Sequence, residues 1–271
     1  MKKPKRGIIN KEVRSNYLPL EAIMRPRSHE REGVVVLTDW HVPFEDSKVI
    51  ELELSFCRDL QPKIIIFHEL HDFYAVSKYD KDPQRQHDLQ EEIDVVNRWM
   101  AKFRQACPNT RFILLDSNHL NRLKRFLWSQ APALNSLRSL KIENLLELDK
   151  YGIEFKDTFT YKKVLFKHGN VVRKFSSYSA RGEFEKEGMS GSSGHTHRLG
   201  MYFHRNRGGE YVWVETGCGC NLNAEYIDGI ANWQSGFAVF TFEKDGYYFY
   251  PQVVPIVHHK FMWGGKMYSL K

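Results

Sequence analysis

With 271 residues, 42% of them hydrophobic and 27% charged, the chain has enough apolar material for a sizeable core and lacks the bias of a disordered or fibrous protein. No apolar run is long enough to span a bilayer, and Met1-Lys2-Lys3-Pro4-Lys5-Arg6 is basic but lacks an apolar h-region, so neither a membrane span nor a secretory signal is expected. The net charge of +7 favours polyanionic partners such as nucleic acid or nucleotides, and four scattered cysteines make no disulfide framework and suit a reducing cytosol.

Residues 1–32 read as a peripheral basic arm, charged and proline-containing without sustained periodicity, and 33–271 as a single domain. The first strong element is the apolar run Val34-Val35-Val36-Leu37, which ends at Asp39. Lys48 to Leu60 then sets Val49, Leu52, Phe56 and Leu60 on one side of a helix. A second run, Ile64-Ile65-Ile66-Phe67, ends at His68-Glu69, and a second helical stretch from Leu89 to Phe103 repeats the pattern with Ile93, Val96 and Met100. The third run, Phe112-Ile113-Leu114-Leu115, ends at Asp116-Ser117-Asn118-His119. Short unbroken aliphatic runs suit strands covered on both faces, and the strand–helix alternation predicts an α/β layered fold. From about Tyr161 the chain reads as mainly β: Val164-Leu165-Phe166, Tyr211 to Val214, Phe237 to Phe242, and Tyr247 to Val254 after an Asp245-Gly246 turn.

Polar clusters follow these strands directly: Asp39-Trp40-His41, Glu69 with Asp72, Asn118-His119, His168, and Gly194-His195-Thr196-His197. In layered α/β folds the carboxyl ends of strands share one crevice, so five loops deliver Asp, His, Glu and Asn to one edge. These donors suit divalent metals of intermediate hardness, such as Mn²⁺, Fe²⁺ or Zn²⁺.

In these motifs the chain resembles the calcineurin-like metallophosphoesterases, whose pattern is D-x-H, G-D-x-x-D, G-N-H-D/E, a lone H and G-H-x-H. The likeness runs from Asp39 to His197, and the β-rich remainder agrees with that family's second sheet. It is similar in particular to a compact bacteriophage subgroup, through Asp72-Phe73-Tyr74 with Ser77 and Asp80 to Pro83, Arg122 to Trp128, Val172-Arg173-Lys174, and Ala231-Asn232-Trp233. The resemblance implies a metallophosphoesterase-type β-sandwich flanked by helices, holding two divalent ions, with Mn²⁺ first and Fe²⁺, Ni²⁺ or Zn²⁺ as alternatives. It implies that Asp39, His41 and His197 bind one metal, that Asn118, His168 and His195 bind the other, and that Glu69 bridges. Asp72 would support the site. His119 would stabilise the transition state or protonate the leaving oxygen. Such cations clamp phosphoryl oxygens and acidify water for in-line attack.

Two loops depart from the pattern. His68-Glu69-Leu70-His71-Asp72 stands for G-D-x-x-D, so the bridging carboxylate is longer by one methylene and His68 or His71 is free to take a new role. Ser117-Asn118-His119-Leu120 stands for G-N-H-E and lacks its terminal carboxylate. The expectation is therefore a dimetal hydrolase of phosphate esters acting on nucleic acid or a nucleotide. The alternative is a degenerate, non-catalytic binding protein in which Glu69→Asp with Leu120→Glu would restore activity. Arg122, Lys124 and Arg125 follow His119 on a predicted helix, while Arg173, Lys174 and Arg198 follow other motif histidines; Arg122, Arg125, Arg173 and Arg198 are the substrate-phosphate candidates. Trp40 either stacks on a base or packs on the sheet edge. Cys218-Gly219-Cys220 reads as a turn beside the active face, and His204, His258 and His259 as surface residues.

Overall fold

The apolar runs become adjacent parallel strands, β1 (Arg31–Thr38), β2 (Ile64–His68) and β3 (Arg111–Leu115), joined by β4 (Ile153–Lys156). The computed structural model describes residues 31–81, 88–224, 227, 229–244 and 248–270. The basic arm expected over 1–32 lies outside the described residues save for its last two, which begin β1, and so does the Asp245-Gly246 turn. Antiparallel β10 (Gly236–Glu243) and β11 (Phe249–Pro255) extend the sheet beyond β1. The second sheet has the order β5 (Phe159–Tyr161), β6 (Val164–Phe166), β7 (Ser190–Ser193), β9 (Gly209–Thr216), β8 (Leu199–Asn206).

Alternate residues of each buried strand serve different layers, which is why the runs are unbroken. Val35, Leu37, Ile65, Phe67 and Phe112 pack on helices α1 (Ser47–Leu60) and α2 (Leu89–Ala106) through Phe56, Met100 and Phe103. Their neighbours Val34, Val36, Ile64, Ile66 and Ile113 face Phe166, Val214 and Phe240 between the sheets. Each such side chain removed from water contributes about 1.5–3 kcal/mol. Asp46 and Asp88 start the two helices by accepting from the amides two and three residues on, which fixes where the strand-to-helix loops end. The architecture is thus the expected layered β-sandwich flanked by helices.

Two elements escape periodicity. Strand β7 is Ser-Gly-Ser-Ser, with no apolar signal, yet it is fully buried. Small residues are required there because the Trp213 ring lies across Gly191, where a Cβ would come 2.7 Å from Cη2. The indole of Trp213 donates to Ser193 Oγ at 3.0 Å. Helix α4 (Tyr178–Glu187) covers the outer face of the second sheet with only Ala180 and Phe184 as buried apolar groups. Its buried Glu183 accepts from the amides of Asn170 and Val171 at 2.7 and 2.9 Å, fixing the loop after β6. Among the described residues, no helix is long and apolar enough to cross a membrane.

Candidate metal centre

Register carries the polar clusters to one edge. Thr38 pairs with His68 and His68 with Leu115, so the loops after β1, β2 and β3 leave the sheet at the same level. The second sheet adds the loops after β6 and β7, and Gly194 N donates to His168 O at 3.0 Å. Asp39, His41, Glu69, His195 and His197 all adopt left-handed backbone, with φ of 55°, 53°, 54°, 68° and 57°. Each such residue costs of order 1–3 kcal/mol and persists because its surroundings fix it. Here the Asp39 and Trp40 amides donate to the carbonyls of His68 and Glu69, both at 3.0 Å.

Asp39, His41 and His197 form the first cluster. Their facing atoms are His41 Nε2 and His197 Nε2, 2.9 Å apart, with Asp39 Oδ1 at 3.7 and 3.5 Å. The remote nitrogens are tied elsewhere, His41 Nδ1 to Asp72 Oδ2 at 3.3 Å and His197 Nδ1 to Cys220 Sγ at 3.8 Å. Imidazoles that turn one nitrogen inward and anchor the other are oriented as metal-ligating histidines are. Burial opposes ionisation of Asp39, but hydrogen bonds from His197 and His41 overcome it and hold the carboxyl well below its usual range. Burial likewise opposes charge on His197, yet the Cys220 sulfur and Asp39 push it up to about 9.

The second cluster joins Glu69, His168 and His195, with Asn118 beside them. His168 Nε2 lies 2.5 Å from Glu69 Oε2, 2.7 Å from Asn118 Oδ1 and 3.1 Å from His195 Nδ1. One ring nitrogen cannot satisfy three partners with one hydrogen; four inward donors fit a shared cation better. Despite burial, His168 and His119 hold the Glu69 carboxyl down to about 2. The other Glu69 oxygen accepts from the His119 amide at 3.0 Å. One oxygen therefore meets the second cluster and the other meets the His119 loop, so the additional methylene lets the carboxylate span from the β2 end to the β3 loop.

Asp72, His119 and Arg122 form a third group. His119 Nδ1 is 3.1 Å from Asp72 Oδ2, and Arg122 Nη2 is 2.6 Å from His119 Nε2. A guanidinium only donates, so His119 Nε2 accepts here, which leaves the proton of a neutral ring on Nδ1. Burial is the main cause of the lowered His119 pKa. Over the three groups opens a cleft of about 490 Å³, walled by Tyr74, Tyr79 and Trp233, with the Trp233 ring 4.2 Å from that of His197. Buried Glu92 of α2 shapes this wall by accepting from the amides of Phe73 and Tyr74.

The remaining sequence candidates divide. Arg125 lies one turn along α3 (Leu120–Gln130) and lines the adjoining groove. Arg198 is taken up by the carbonyls of Arg173 and Asn232, and neither it nor the exposed Arg173 lines the cleft. Trp40 is fully buried among Phe67, Trp99 and Phe103 with its indole on Glu53 Oε2 at 3.0 Å, so it is core and not a stacking platform. His71 stacks on Phe73 outside both clusters. His68, where the family pattern has glycine, sets Nδ1 3.2 Å from His168 Nδ1 and so braces a candidate ligand. Cys218 and Cys220 each make an isolated β-bridge, to Ser235 and Glu45, on either side of a bend rather than the expected turn, with Gly219 against the Trp40 ring. The exposed His258 and partly buried His259 lie in a turn, and His259 reaches Asp46 Oδ2 at 2.8 Å. Sequence reasoning missed the Cys220 contact and the roles of Tyr79 and Glu215; Glu215 accepts from Thr196 Oγ1 at 2.7 Å and holds the Gly-His-Thr-His turn. A signal for Glu215 was present, since a lone carboxylate ends the apolar strand 211–214.

The chain is 30% identical over 255 residues to the Gene 54 protein of Mycobacterium phage L5, covering 88% of this chain and 98% of the relative. It is 31% identical to the Gene 54 protein of Mycobacterium phage D29 over the same extent. No protein-family model matches. Among solved structures it is similar to a single mutant of Vps29 from Entamoeba histolytica, at a TM-score of 0.43 and 12% identity, covering 87% of this chain and 95% of the other. It is similar also to Vacuolar Protein Sorting 29 from Cryptosporidium parvum, at 0.37 and 14%, covering 88% and 95%.

Proposed function

This chain belongs to the Gene 54 protein family of mycobacteriophages, and we propose that it is a dimetal-dependent hydrolase of phosphate esters acting on nucleic acid or a nucleotide. One observation carries the reading: two inward-facing donor clusters, one of Asp39, His41 and His197 and one of Glu69, Asn118, His168 and His195, share a sheet edge and a cleft with His119 and Arg122. Mixed imidazole and carboxylate donors suit Mn²⁺, with Fe²⁺, Ni²⁺ or Zn²⁺ as alternatives. When bound, such cations supply Lewis-acid charge for the phosphoryl oxygens and lower the pKa of water. Asp39 and Glu69 neutralise that charge, while the anchored remote nitrogens of His41, His168 and His197 hold the rings in position. Arg122, oriented by Asp72, offers a fixed cation to the substrate phosphate, and His119 beside it meets the charge that develops on transfer.

The alternative, a binding protein without turnover, rests on Glu69 and Leu120. Leu120 is 3% exposed and sits in the helical core, so its lack of a carboxylate does not empty the site of a group. Metal content by mass spectrometry after Mn²⁺ loading, run beside hydrolysis of a chromogenic monoester and diester, tests the proposal. The expected result is about two metals per chain, with turnover that Asp39→Ala abolishes and His119→Ala lowers about 10²–10⁴-fold. One metal or none, without turnover in any of the four ions, would move the assignment to the binding protein.

A further inference from the structure

Beyond the metal cleft runs a second depression of about 480 Å³, between residues 76–79 and α3, and the two share Ser77, Tyr79 and Arg122. Asn118, a donor of the second cluster, lines it, so the groove begins at that cluster and leads away along the helix. Its walls are basic and aromatic. Lys78 and Arg125 are exposed and line it, with the Lys78 ammonium 5.7 Å from the centroid of the Tyr79 ring. Tyr79 and Phe126 are 63% and 39% exposed, and neither belongs to the hydrophobic core.

We propose that this groove is a subsite for the nucleotide flanking the scissile phosphate of a single-stranded polynucleotide, with Lys78 and Arg125 on the backbone phosphate and Tyr79 and Phe126 against a base. This deepens the hydrolase assignment and rests on it for the position of the scissile phosphate. A phosphomonoester needs only the first cleft. A continuous groove about the size of a bound small ligand, with cations and aromatic faces interleaved, fits an extended strand with splayed bases. A duplex keeps its bases stacked and offers no such face.

The test is fluorescence anisotropy with fluorescein-labelled oligothymidylate and oligouridylate, in EDTA and again with Mn²⁺, on the full chain and on Phe126→Ala and Lys78→Glu. Both substitutions are at surface positions, and thermal melting checks that the variants fold. The full chain is expected to bind single strands more tightly than a duplex of the same length, and Phe126→Ala to weaken binding about 5- to 100-fold. Lys78→Glu should weaken it and flatten its salt dependence. Binding of either oligonucleotide more tightly than the duplex, weakened by the two substitutions, supports the proposal. No single-strand binding, or variants within twofold of the unmodified chain, overturns it. Hydrolysis of bis-p-nitrophenyl phosphate, a diester too short to extend along the groove, separates the two assignments. Variant-sensitive strand binding without such hydrolysis keeps the subsite and discards the hydrolase; hydrolysis with variant-insensitive binding does the reverse.

Discussion

The Nε2 atoms of His41 and His197 face each other at 2.9 Å although the residues are 156 positions apart in the chain. Two buried imidazole nitrogens converge this closely beside a carboxylate only where a shared proton or cation holds them. Behind each ring an anchor on Nδ1, Asp72 for one and Cys220 for the other, keeps the inward atom fixed. The first prediction follows from that geometry. His197→Ala should lower metal content after Mn²⁺ loading from about two to about one per chain, since the second cluster shares none of its donors. Metal analysis giving an unchanged content would remove the first cluster as a site.

Glu69 reaches both His168 and the His119 amide, so a shorter carboxylate should serve this backbone worse, not better. Glu69→Asp is expected to weaken metal affinity roughly 10–100-fold, the range seen when support around a metal is lost. Isothermal titration with Mn²⁺ measures it. Tighter binding and faster turnover in the variant would instead favour the degenerate-site reading.

Leu120 opens α3 with its side chain in the helical core. Leu120→Glu would bury a carboxylate without a partner, and should destabilise the fold by about 2–4 kcal/mol. Urea denaturation followed by circular dichroism reads this directly. A variant as stable as the parent would mean that the side chain turns to the metal cleft.

Glu53 is fully buried beneath Trp40, and burial raises its pKa well above the ordinary glutamate value. The unfolded chain releases this proton near pH 4.5 while the folded chain retains it. The contribution to stability is therefore complete below that pH and declines as pH rises toward the folded pKa. Glu53→Gln keeps an acceptor for the indole and removes the titration. The variant should gain on the parent as pH rises from 5 to 8, by at most about 1.4 kcal/mol per pH unit. Parallel stability profiles would show that Glu53 ionises normally.

Much of this site is legible in the chain because strand ends are marked twice, once by the end of an apolar run and once by the polar residues after it. Val34 to Leu37 followed by Asp39, and Phe112 to Leu115 followed by Asn118, need only local chemistry to be read. Where the apolar signal fails, tertiary contact decides. Strand β7 leads into the loop of His195 and His197, yet its Ser-Gly-Ser-Ser sequence is set by the Trp213 ring above it. The fate of the polar extras was likewise open. Trp40 and His71 went to the interior, Arg198 to two loop carbonyls, and His68 to a candidate ligand. The residue types and their order thus determined which donors reach the sheet edge. Only packing determined which nitrogen of each ring faces inward, because that depends on partners such as Asp72 and Cys220 that sequence spacing does not bring together.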